Sequence, residues 1–304
     1  MPDIVSRALV LSSPPGMLDA ALVDRVGPLL ARHSVIQSWW LASGEAWEAL
    51  FVAGEDEDLS PALAQVRSTV GARPVDVNIV SDDRAFRRKK LLVADMDSTM
   101  IGQECIDELA DFAGLKAHVA AITERAMRGE IAFEPALRER VALLRGLPAR
   151  VIDEVIAKRI SLMPGARTLV ATMRAHGAVA CLVSGGFTAF TAPVAARIGF
   201  DEHRGNLLEI ADGNLAGTVA EPILGREAKR ATLIELRDRL GLLAGDTLAI
   251  GDGANDLAMI AESGLGVAFH AKPAVAAAAM ARIDHCDLTA LLYLQGYRRE
   301  EFIA

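Results

Sequence analysis

No apolar run among the 304 residues approaches the roughly 18–20 needed to cross a bilayer, so the chain is expected to lie outside the membrane. Cysteine is scarce. Cys105, Cys181 and Cys286 are odd in number and widely spaced, which argues against a disulfide framework and fits a reducing, cytoplasmic compartment. Together with the six histidines they show no HxxxH or Cys/His ligand spacing, so no zinc site is expected. Positive charge is in deficit: 32 Lys and Arg face 40 Asp and Glu, and a net charge of −8 argues against nucleic acid as a partner. The opening Met1-Pro2-Asp3 carries neither the basic nor the apolar segment of a secretory signal. What is abundant is apolar side chain, 52% against 24% charged, enough for sizeable cores. The length suits about two domains of ~100–200 residues.

A boundary is expected at residues 84–90, a basic linker holding Arg84, Arg87, Arg88, Lys89 and Lys90 between acidic flanks. Residues 1–83 carry 12 acidic and 5 basic side chains, and the connector reads as a solvated link into a strand. Before it the pattern predicts strand Arg7–Ser12, helix Leu18–His33, strands Val35–Leu41 and Ala46–Ala53, a helix capped by Ser60, and strand Val75–Val80. That βαββαβ order is the split-βαβ arrangement of a small ferredoxin-like α+β domain. Trp39 and Trp40, adjacent on one strand, are expected to face opposite ways, one toward the core and one outside.

Residues 91–304 read differently. Leu91–Ala94, Val179–Val183, Thr247–Ile250 and Leu265–Phe269 are short apolar runs without polar alternation, as in buried parallel strands. Helical stretches separate them, which predicts a doubly wound, Rossmann-like parallel α/β sheet. About 80 residues separate the first two strands, so an inserted helical cap is expected at about 101–163. Asp212-Gly213-Asn214 predicts a hairpin within Leu207–Val219.

Ligands of open parallel sheets bind beyond the carboxyl ends of the strands. Three such ends carry polar clusters: Asp95-Met96-Asp97-Ser98-Thr99, Ser184-Gly185-Gly186, and Gly251-Asp252-Gly253-Ala254-Asn255-Asp256. Each alone could be a turn or a helix cap. Together they place several carboxylates at one spot, where they repel unless a cation intervenes. Oxygen ligands without nearby His or Cys point to Mg²⁺.

The four ordered motifs, Asp95-Met-Asp-Ser-Thr, the Ser184-Gly-Gly strand end, Lys229 on a later helix and Gly251-Asp-Gly-Ala-Asn-Asp, resemble those of the haloacid dehalogenase-like phosphohydrolases over about residues 91–284. The cap segment, with Glu104, Met127-Arg-Gly-Glu, Phe133-Glu and Leu137-Arg-Glu-Arg140-Val, is similar to that of the branch acting on O-phosphoserine. The resemblance implies Asp95 as nucleophile, Asp97 as general acid and base, and Lys229 as a partner of Asp95 and the phosphate. It implies Mg²⁺ held by Asp95, Asp252 and the main-chain carbonyl of Asp97, with Asp256 nearby. It implies phosphate donors at Ser184 and Gly185, and a contact from Asn255. Glu104 would take the substrate ammonium and Arg140 its carboxylate, while Met127 and Phe133 would form an apolar closing surface. Cys105 reads as a small buried apolar residue, and Pro135 as a first-turn proline.

The expected activity is Mg²⁺-dependent hydrolysis of O-phosphoserine through an aspartyl-phosphate, the last step of serine biosynthesis. Transfer of the phosphoryl group to another alcohol such as homoserine is a second reading, and a phospho-aspartate signalling module a third. Residues 1–83 resemble ACT-type regulatory domains in element order, which implies a homodimer and a possible serine sensor.

Overall fold

The computed structural model describes residues 4–30, 32–127 and 130–304, the side chains of Ala126 and Met127 excepted. The chain opens with β1 (Ile4–Ser12), α1 (Ala20–Val26), β2 (Ser34–Ala42), β3 (Ala46–Gly54), α2 (Ser60–Val70) and β4 (Asp76–Ser81). The strands form an antiparallel sheet in the order β2-β3-β1-β4, the split-βαβ topology. Alternate residues of β1 face two different cores. Leu9 and Leu11 pack with Leu22, Val26, Val66 and Val70 of the two helices, whereas Ala8 and Val10 belong to the main core of the chain. Burial on both faces explains why β1 shows no polar alternation.

Two local expectations need correction. Trp39 and Trp40 do point to opposite faces, but each is half-buried against a core, Trp39 on the main one and Trp40 on the helical one. Ser60 is the first helical residue rather than the cap, and its amide donates to Oδ1 of Asp58 at 2.9 Å.

The second half contains β5 (Leu91–Ala94), α3 (Cys105–Phe112), α4 (Lys116–Met127), α5 (Phe133–Leu143), α6 (Arg150–Lys158) and α7 (Ala166–Ala175). Then come β6 (Val179–Phe187), α8 (Thr188–Ile198), β7 (Glu202–Asn206), β8 (Leu208–Ala211), β9 (Asn214–Val219) and α9 (Arg226–Arg239). The chain continues through β10 (Thr247–Gly251), α10 (Leu257–Glu262), β11 (Leu265–Phe269), α11 (Pro273–Ala278), β12 (Ala281–Ile283) and α12 (Ala290–Leu294). Six strands make a parallel sheet in the order β12-β11-β10-β5-β6-β7. From β5 the chain steps outward through β6 to β7, then returns to the other side of β5 with β10. The strand order therefore reverses at β5, and the crevice for a ligand opens at the carboxyl ends of β5, β6 and β10. Among the described residues no helix is long and apolar enough to cross a membrane.

Helices α3 to α6 form the inserted cap over that crevice. Its two ends meet at a bridge between Ile101 and Leu162, flanked by Gly102 N–H to Ser161 carbonyl at 3.1 Å and Met163 N–H to Met100 carbonyl at 3.0 Å. The β8–β9 hairpin turns at Asp212-Gly213, both at positive φ. It also touches the cap, exchanging backbone hydrogen bonds between Leu215 and residues Gly146 and Leu147, each at 2.9 Å.

The basic connector is solvated only in part: Arg84 and Lys90 are exposed, whereas Arg87 and Lys89 are buried. Arg87 is 8% exposed, and its guanidinium reaches Glu48 on β3 at 2.6 Å, Asp82 at 2.5 Å and the Leu294 carbonyl at 2.8 Å. Lys89 Nζ donates to the Gly245 carbonyl at 2.7 Å, Lys90 pairs with Asp246 at 2.9 Å, and Arg88 lies over the Tyr297 ring. The cations find acids and carbonyls brought from distant segments, which a local charge count does not reveal. The antiparallel sheet also completes the edge of the parallel one. The Asn78 side-chain amide exchanges two 2.9 Å hydrogen bonds with the backbone of Arg282 on β12, as a neighbouring strand would. Buried Asp76 accepts from the amides of Asp284, His285 and Cys286 just beyond it.

Arg87→Ala leaves Glu48 buried without its main cation and is expected to cost about 3–5 kcal/mol in denaturant unfolding. Pairing Arg87→Met with Glu48→Leu should recover most of that loss.

Candidate active site

Asp95 follows β5 and is 4% exposed, its amide continuing the strand ladder to the Ile250 carbonyl at 3.0 Å. On α9, the buried residues Lys229, Thr232, Leu233 and Leu236 recur at the i, i+3, i+4, i+7 spacing of an inward-facing stripe. That places the Lys229 ammonium inside the protein, 2.5 Å from Oδ1 of Asp95 and 2.7 Å from Oδ1 of Asp256. Burial alone would lower the lysine pKa, but the charges of Asp256 and Asp95 outweigh it and hold the group protonated. Asp256 in turn accepts from the Gly253 amide at 3.1 Å. Two glycines make room: a Cβ on Gly251 would lie 2.3 Å from Asp256 Cγ, and one on Gly253 would lie 2.3 Å from Asn255 Oδ1.

Carboxylate oxygens of Asp95, Asp252 and Asp256 lie within 4.8 Å of one another. Burial and the charge of Asp256 push Asp95 well above the usual carboxylate range and Asp252 up to about 6. One ammonium does not balance three carboxylates. The set contains oxygen donors alone, is largely withdrawn from bulk water, and carries surplus negative charge, which fits a hard divalent cation. Asp97 stays out of this cluster through its side chain. Its Oδ1 accepts from the Cys105 amide at 2.8 Å and its Oδ2 from the Ser184 hydroxyl at 2.9 Å. Cys105 is buried as expected, and what it supplies is its backbone N–H.

The Ser184 oxygen also accepts from the Gly186 amide at 2.8 Å, so β6 ends in a tight loop against Asp97. A Cβ on Gly186 would sit 3.1 Å from Asp97 Oδ2, and one on Gly185 would sit 3.0 Å from the Phe133 ring. The second contact shows the cap seated on the Ser184 loop through Phe133. Sequence reasoning overlooked Asn206, a buried residue ending β7. Its amide donates to the carbonyls of Gly185 and Leu224 at 2.8 and 3.1 Å, and its oxygen accepts from the Leu224 amide at 2.7 Å. It thereby ties the Ser184 loop to the segment that leads into α9. The only signal was position, a polar residue closing an unrecognised strand.

Between cap and sheet lies a cavity of about 460 Å³. Asp95, Asp97, Ser184, Gly185, Asp252 and Asn255 line its floor; Glu104, Phe133 and Arg140 line its cap side. Lys229 stands behind Asp95 rather than in the wall. The Met127 side chain falls outside the described residues. Glu104 is open to cavity water yet surrounded by protein, and burial together with Asp97 pushes its carboxyl up to about 7; it accepts from Ser98 at 2.7 Å. Pro135 is the third residue of α5, within its first turn. Arg226 and Lys272, two cations that sequence reasoning did not single out, also line the cavity, and the charge of Lys272 acts on Asp252. Two neighbouring aspartates, a cluster of three carboxylates and two oppositely charged cap side chains thus lie around one cavity, an arrangement suited to phosphoryl transfer.

The haloacid dehalogenase-like hydrolase family model matches residues 92–261. A probable phosphoserine phosphatase of Schizosaccharomyces pombe is 42% identical over 271 residues, covering 88% of each chain. A phosphoserine phosphatase of Polaromonas is 47% identical over 223 residues, 72% of this chain and 94% of that one. The crystal structure of an unliganded, probable phosphoserine phosphatase from Vibrio cholerae superposes with a TM-score of 0.76 at 31% identity, covering 97% of this chain and 88% of that one. The matched segment runs from β5 into α10 and carries the Asp95, Ser184, Lys229 and Asp252 positions, so the chain belongs to the haloacid dehalogenase-like hydrolases.

Proposed function

We infer that this protein is a phosphoric monoester hydrolase that converts O-phosphoserine to serine and phosphate. The observation that carries the reading is the single cavity in which Asp95 and Asp97 face Glu104 and Arg140. A substrate with a phosphate at one end and an ammonium and a carboxylate at the other finds a complement to each. The relatives at 42% and 47% identity support the same substrate.

In the first step a carboxylate oxygen of Asp95 attacks phosphorus and the bond to the serine oxygen breaks, leaving an aspartyl-phosphate. Asp97, fixed beside it by Ser184 and the Cys105 amide, gives a proton to the departing alkoxide. In the second step Asp97 takes a proton from water as that water attacks phosphorus, releasing phosphate and restoring Asp95. Lys229 holds the nucleophile in place and offsets charge on the transferring group. Ser184 and the Gly185 amide are the proposed donors to phosphate oxygens, with Asn255 at the rim. Asp95, Asp252 and the Asp97 carbonyl would hold Mg²⁺, with Asp256 in reach; the ion would neutralise phosphoryl oxygens as an anion approaches an anion. Arg140 grips the carboxylate, Glu104 the ammonium, and Phe133 with Met127 excludes water.

We also propose residues 1–83 as an ACT-like domain, 84–90 as its connector and 91–304 as the catalytic unit. The setting proposed is the cytoplasm, closing serine biosynthesis, and the three unpaired, buried cysteines support it. A homodimer is supported by the free edge of β2, which exposes Val35 and Ile36. Replacing Ile36 by Lys should shift the sedimentation coefficient to that of a monomer.

Asp95→Asn is expected to lower kcat for O-phosphoserine by more than about 10³-fold and to abolish acid-stable, hydroxylamine-sensitive labelling from phosphorylated substrate. Wild-type-like turnover in that variant overturns the mechanism. Chelation of divalent ions should remove activity, and added Mg²⁺ should restore it in a phosphate-release assay; full activity in excess chelator overturns the metal assignment.

A further inference from the structure

A guanidinium under a cap selects a carboxylate only if its plane is fixed, because both prongs must meet the ligand together. Two bonds fix Arg140. Its Nε donates to the Ala136 carbonyl, one turn back on α5, at 3.2 Å, and its Nη1 donates to Oγ1 of Thr123 on α4 at 3.3 Å. The Thr123 hydroxyl proton is committed elsewhere, to the Val119 carbonyl at 3.1 Å, so a lone pair is what the oxygen offers Arg140. Thr123 also lines the cavity. Neither partner of Arg140 is an acid, and among the described residues no carboxylate forms an ion pair with it. Asp107 is the acid whose charge acts on Arg140 most strongly, and its Oδ1 is buried without a hydrogen-bond partner. The guanidinium is therefore held short of an acid that would neutralise it.

We propose that Thr123 is a positioning residue for Arg140. Anchored to α4, its hydroxyl holds the guanidinium short of Asp107, which lines the same cavity, and so leaves it for the ligand and sets the preference for phosphate monoesters that bear a carboxylate. The proposal rests on the reading of Arg140 as the carboxylate grip. Without the hydroxyl, Nη1 loses its acceptor and the guanidinium is free to close on Asp107, which removes it from the ligand.

The test compares O-phosphoserine with O-phosphoethanolamine, which keeps the phosphate and the ammonium but has no carboxylate. The wild type should prefer O-phosphoserine. Thr123→Val, close in shape, should raise KM for O-phosphoserine about tenfold with a much smaller change in kcat, and lower the ratio of kcat/KM between the two substrates by a similar factor. Thr123→Ser should restore the ratio. In an Arg140→Ala background Thr123→Val should leave the ratio where Arg140→Ala put it, since the hydroxyl then has nothing to orient. A wild type that does not discriminate the two substrates overturns the reading of Arg140, and the proposal with it. A discriminating wild type whose ratio survives Thr123→Val, or a variant that loses both substrates equally, overturns the proposal alone. Thr123→Ala gives the same comparison if the valine variant does not fold.

Discussion

The Lys229 ammonium is buried, and two strand-end turns are placed by how that charge is satisfied. Withdrawing a lone ammonium from water costs several kcal/mol, so a chain that buries one must bring anions to it. Asp95 arrives from the end of β5 and Asp256 from the turn before α10, at 2.5 and 2.7 Å. Those contacts hold α9 against the sheet at the strand reversal and leave Asp252 beside them. The same arrangement creates the site's remaining demand. Three carboxylates gathered at one buried ammonium make a set of oxygen donors suited to a cation from solution, so the structural need and the chemical one point the same way.

Around this core, Asp95 and Asp97 are kept apart by different partners. Asp95 shares its lysine with Asp256, whereas Asp97 is turned toward Ser184 and the Cys105 amide. Two aspartates separated by a single residue thus have unlike surroundings, as the proposed division into nucleophile and proton carrier requires. The Cys105 amide opens α3, so Asp97 is fixed by the helix that begins the cap. Phe133 rests on Gly185 from the other side of the cavity. Cap and sheet therefore meet at Asp97 and Gly185.

Much of this could be read from residue order. Short apolar runs ending in Asp, Ser-Gly-Gly and Asp-Gly announced buried parallel strands with polar ends, whereas Lys229, by itself an ordinary helix lysine, was reached only through its place between the Ser184 and Gly251 motifs. Asn206 escaped because β7 has the composition of a loop, Glu-His-Arg-Gly-Asn, and owes its strand character to pairing with β6. Arg87 and Lys89 escaped for a related reason. A run of cations is usually solvated, and what overrides that tendency here is a set of acceptors at Glu48, Gly245 and Leu294, each remote in sequence. Trp39 was half legible: strand geometry fixed its direction, but a second core on that side is a tertiary fact. Local patterns disclose what a residue is suited to, and distant partners decide whether that is used.

The bonds from Asn78 and Asp76 to residues 282–286 join segments 204 to 210 positions apart. During synthesis the antiparallel sheet can form early, since its own pairings are local to the first eighty or so residues. Its inner face and the Asp76 carboxylate must nonetheless wait, uncovered, until β12 has left the ribosome. For most of translation the nascent chain thus carries an apolar surface awaiting a late partner, a period in which chaperones or neighbouring chains compete for it. The seam that makes the finished molecule one body is also the last part of it that can close.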